Sequence, residues 1–69
     1  MKLSDVKFED IKVGLEIISA IGIPGIVTEC IPEIPGSNNG ARYDTVYMEW
    51  NNGKKSSVFH MNADKVTVK

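Results

Sequence analysis

The chain has 69 residues, with eight Lys and Arg against nine Asp and Glu and a formal net charge of −1. A chain of this length forms one domain and buries only about 60% of the surface that its unfolded form exposes, which disfavours chemistry needing a deep multi-residue pocket. The near-neutral balance excludes a strong field that would draw in nucleic acid or an anionic membrane. Eight Ile and seven Val stand against two Leu. β-branched side chains are stiff at χ1 and suit a pleated surface better than a helix, so the expectation is an all-β domain spanning residues 1–69.

Cys30 is the single cysteine, so no intramolecular disulfide forms. No apolar run follows an N-terminal basic segment and no stretch of about 18 apolar residues occurs. The expected setting is soluble and cytoplasmic.

Residues 4–10 read as an irregular lead-in with a helical turn at most. Ser4 is a cap candidate, but Lys7 stands where a capping box needs Glu or Gln. Residues 15–20 read as the first full strand. Pro24-Gly25 is a turn signal, because Pro presets φ and Gly accepts a positive φ next to it. Residues 26–31 follow as a second strand that Pro32 and Pro35 end. Residues 36–40 are all turn formers. Residues 43–50 are the best strand signal, rich in aromatic and β-branched residues. Asn52-Gly53 predicts a type I′ turn. Residues 56–60 return as a fourth strand, residues 61–65 hold one 3₁₀ turn, and Val66-Thr67-Val68 closes the sheet.

With Asn52-Gly53 at the centre of a two-residue turn, Val46 faces Phe59, Met48 faces Ser57 and Tyr47 faces Val58. Opposed residues share a face. Val46, Met48 and Phe59 then form the core side with Trp50 at its rim. Tyr47 and Val58 form an apolar pair on the other side, either a contact surface or a small cluster beneath the loop of residues 36–42.

The order of elements looks like an SH3-like small barrel, the architecture shared by KOW and Tudor-like domains. The resemblance covers roughly residues 11–68 and rests on Gly14, Gly25, the run Trp50-Asn51-Asn52-Gly53, and Val66-Thr67-Val68. It implies a five-stranded barrel behind the lead-in and a protein that binds something. One such fold hosts many functions.

Each binding mode of such barrels demands particular residues. Proline-rich peptides need an aromatic-lined groove, and residues 15–20 have no aromatic. A methyl-lysine cage needs converging aromatics, but Tyr47 and Trp50 differ by an odd step and face opposite sides. Residues 1–35 carry a net charge of −3 and residues 36–69 a net charge of +2. Arg42, Lys54 and Lys55 are therefore the candidate nucleic-acid contacts, though weak ones for a backbone binder.

No catalytic or metal constellation stands out. His60 and Cys30 are too few for a structural zinc site, and the six glycines fit neither a P-loop nor a dinucleotide fingerprint. The expected function is a non-enzymatic, cofactor-free and metal-free binding module. It acts by protein–protein contact through Tyr47, Val58, Tyr43 and Arg42, as an accessory or modulator of a larger nucleic-acid-associated complex. The alternatives are direct RNA or DNA binding, and a homo-oligomer paired along an edge strand such as residues 26–31.

Overall fold

The β-branched residues fall where the strands form. The computed structural model describes residues 1–33 and 43–69. Five strands, β1 (Glu16–Ile18), β2 (Pro24–Ile31), β3 (Thr45–Trp50), β4 (Lys55–Phe59) and β5 (Thr67–Val68), make one antiparallel sheet in the order β4-β3-β2-β1-β5. Among the described residues three 3₁₀ segments accompany it: Leu3–Asp5, Phe8–Asp10 and His60–Lys65, the last lying between β4 and β5.

Two hairpin loops share one construction. In the first, Gly22 N–H donates to Ser19 O at 3.0 Å and Ser19 N–H donates to Ile23 O at 2.9 Å. In the second, Gly53 N–H donates to Trp50 O at 2.9 Å and Trp50 N–H donates to Lys54 O at 2.8 Å. Gly22 and Gly53 both have φ +86, while no non-glycine among the described residues has positive φ. Each is therefore a type I turn followed by a left-handed glycine, the usual three-residue hairpin loop. Side chains finish both loops: Ser19 Oγ accepts from Ile23 N–H at 3.0 Å, and Asn52 Oδ1 accepts from Lys54 N–H at 3.1 Å.

This geometry corrects two expectations. The second loop is not a type I′ turn, because Asn52 keeps negative φ. Pro24-Gly25 is not a turn at all; it opens β2, with Pro24 as the first strand residue, where its missing N–H is tolerated.

The longer loop shifts the β3–β4 register by one residue. Val46 pairs with Val58, Tyr47 with Ser57, Met48 with Ser56, Glu49 with Lys55, and Thr45 with Phe59. A slip of one residue moves a whole strand's side chains to the opposite face. Val46 and Met48 are core, as expected, and Val58 packs against them. Phe59 is 42% exposed on the outer face, not in the core.

β2 carries a second parity change. Its register against β3 shifts between Val27 and Glu29, a β-bulge at Thr28. Thr28 and Glu29 are both exposed, and Val27 and Cys30, three residues apart, both reach the core side. β2 lies between β1 and β3, so it is a central strand and not the edge expected for residues 26–31.

The lead-in is part of the fold. Leu3 and Ile11 are buried with Ile17, Val27, Val46, Met48 and Ala63. Lys2 bridges Thr67, Leu3 N–H donates to Val66 O at 2.7 Å, and Val68 N–H donates to Met1 O at 2.7 Å. These bonds line the outer side of β5 with the N-terminal segment. Among the described residues, no buried side-chain polar atom lacks a partner.

The register ranks two substitutions. Met48→Ala should cost about 2–5 kcal/mol, whereas Phe59→Ala should cost about 1 kcal/mol, the worth of a ring contact. Denaturant titration of both variants checks this, and the reverse order would reinstate the two-residue turn.

Candidate functional site

On the outer face of the β3–β4 hairpin, alternation aligns Thr45, Tyr47 and Glu49 with Phe59, Ser57 and Lys55. Tyr43, just before β3, stacks on Phe59 with ring centroids 5.1 Å apart at 58°, a tilted aromatic contact. Tyr43 is 44% exposed and Tyr47 is half-buried. A shallow depression of about 270 Å³ lies beside Phe59, lined also by Thr45, Ser57, Val58 and Asn62.

The expected contact residues are thus partly regrouped. Tyr47 and Tyr43 share the outer face. Val58 does not lie opposite Tyr47; it faces the core, and Ser57 takes its place. Arg42 and the loop of residues 36–42 lie outside the described residues. Lys54 and Lys55 are exposed neighbours at the start of β4, where successive side chains diverge, and Lys55 is paired across the ladder with Glu49. Sequence reasoning missed Phe59 as an outer-face residue. The signal available was the extra Asn51, which makes a three-residue loop as compatible as a two-residue one.

A larger groove of about 470 Å³ runs between Trp50, Pro24, Ile26, Glu16 and Glu49. Trp50 pairs with Gly25, and its indole N–H donates to Ser56 Oγ at 2.5 Å. A Cβ on Gly25 would lie 2.5 Å from the Trp50 ring and 2.7 Å from Glu49 O. Glycine is required there so that the indole can lie flat against the strand. Gly25→Ala should therefore destabilise the domain by about 1–3 kcal/mol through overpacking. It should also move the fluorescence of Trp50, the only tryptophan, toward longer wavelength as the ring is displaced into water. An unchanged melting temperature and spectrum would contradict the close approach.

His60 and Cys30 hold structural positions. His60 follows β4, and its Nε2 donates to Val6 O across 2.6 Å, while its ring tilts against Phe8 at 5.8 Å. Cys30 donates from Sγ to Ile11 O at 3.5 Å. Burial pushes its thiol pKa up; Lys12 opposes this and Glu29 adds to it. The thiolate is the reactive form. Alkylation of Cys30 at pH 8 should accordingly run slower in the folded protein than in denaturant, and equal rates would show that burial does not protect it. No group of three metal-ligating side chains occurs among the described residues, and no helix among them is long and apolar enough to cross a membrane.

The chain matches no family model, no curated protein and no solved structure.

Proposed function

We propose that this chain is a non-enzymatic binding module with the SH3-like small-barrel architecture, docking a partner protein through Tyr43, Tyr47 and Phe59. The architectural part is supported by the strand order, with β5 beside β1, a bulged central β2 and a 3₁₀ segment between β4 and β5. The functional part rests on one observation: the register turns Phe59 outward, where it stacks with the exposed Tyr43. Aromatic side chains with exposed faces are enriched at interface hot spots, and a marginal core gains nothing from leaving a phenyl ring in water. The partner belongs to a larger assembly in which this module is an accessory.

Tyr43→Ala and Phe59→Ala should keep the fold and abolish capture of a partner that survives nuclease treatment of the lysate. Retained capture by both folded variants would remove the outer face from the interface. Capture that nuclease abolishes, together with loss on substitution of Lys54 and Lys55, would establish the nucleic-acid alternative instead.

A further inference from the structure

The two edges of the sheet are treated differently. The outer side of β5 is lined by the N-terminal segment, through the Lys2–Thr67 bridge and its flanking bonds. β4 ends the strand order on the other side, with Lys55, Ser56, Ser57 and Phe59 all exposed.

The hydrogen-bond parity of β4 is fixed by its two ends. Trp50 N–H donates to Lys54 O, and His60 N–H donates to Asp44 O at 2.8 Å. Positions 54, 56, 58 and 60 therefore turn their backbone groups toward β3. Lys55, Ser57 and Phe59 turn theirs away, because opposed residues alternate between hydrogen-bonded and non-hydrogen-bonded pairs. Among the described residues no segment covers this edge, and an outward row of donors and acceptors is a template for another strand.

We infer that the occupant is a second copy of this chain, paired β4 to β4 in antiparallel fashion about a two-fold axis at Ser57. Self-pairing about one axis is the isologous arrangement most homodimers adopt. In this register Ser57 meets Ser57 of the second copy, and Lys55 meets Phe59 of the second copy, twice. All three outward-facing residues are used, giving about six backbone hydrogen bonds. Each exposed Phe59 ring gains the ammonium and stem of the other copy's Lys55, a cation–π pairing across the seam. The two lysines are kept at opposite ends. Sliding the pairing two residues toward the hairpin tip brings the two Lys55 side chains onto one diagonal and leaves Phe59 beyond the ladder, which like charge disfavours; sliding it the other way sets Lys55 against Met61, which lies in the 3₁₀ segment beyond β4.

The inference shares Phe59 with the proposed docking face and rests on that reading only in taking this ring as a contact. Ser57→Pro separates the two, since it removes one outward N–H and no outer-face aromatic, and proline is tolerated on an edge strand whose N–H points to solvent. Sedimentation equilibrium of the full chain should show a reversible dimer. Ser57→Pro should be a monomer with an unchanged far-ultraviolet circular dichroism spectrum. Phe59→Lys, which opposes like charges across the seam, should weaken dimerisation about tenfold or more; adding Lys55→Glu to it should restore the dimer, a rescue that does not depend on whether Ser57→Pro folds. A wild-type chain that stays monomeric up to about 1 mM, a folded Ser57→Pro dimer, or no rescue by the charge exchange would each overturn the inference. Loss of partner capture in Tyr43→Ala with the dimer intact would leave it standing, because Tyr43 is not on the edge.

Discussion

The positive φ of Gly53 governs the outward face of this molecule. A left-handed residue at that position closes a three-residue loop, and the loop length sets which residues of β3 and β4 are opposed. Everything on β4 follows from that parity. Val58 turns in to meet Val46, and Phe59 turns out to meet Tyr43. The bulge at Thr28 does the same for β2, resetting the alternation so that Val27 and Cys30 both serve the core. Two local backbone features thus decide which apolar residues are interior.

Much of this was legible in the residues themselves. The excess of Ile and Val over Leu correctly indicated a sheet, and the strand positions follow from β-branched runs bounded by Gly, Asn and Pro. The faces were harder. Asn51-Asn52-Gly53 accommodates a two- or a three-residue loop, and only the pairing energy of the whole hairpin selects between them. Pro24-Gly25 carries a strong turn signature, yet Gly25 is kept for the approach of Trp50, a residue 25 positions away. The first hairpin instead turns at Ala20-Ile21-Gly22. Leu3 shows no periodicity because it sits in an irregular segment, and its burial is a tertiary fact.

The candidate contact residues were half legible for the same reason. Tyr43 and Tyr47 lie on β3 and its approach, whose parity the sequence reading had right. Val58 and Phe59 lie on the returning strand, where an error of one residue exchanges a core side chain for an exposed one. Among the described residues, the sheet's inner side meets short 3₁₀ segments. Leu3 and Ala63, from the lead-in and from the segment before β5, complete that cover, and the His60–Val6 hydrogen bond ties the base of β4 to it.

The pairing of Lys2 with Thr67 bears on how the molecule assembles. The hairpins close loops of a few residues and lose little chain entropy in doing so, whereas this bridge joins segments nearly the whole chain apart. Contacts of high sequence separation slow folding, so the N-terminal segment is expected to dock along β5 after the β1–β2 and β3–β4 hairpins have formed. Until it does, the buried cluster lacks the Leu3 side chain. Because β2 and β3 precede β5 in the chain, their inner side stays incompletely covered until β5 and the N-terminal segment have paired.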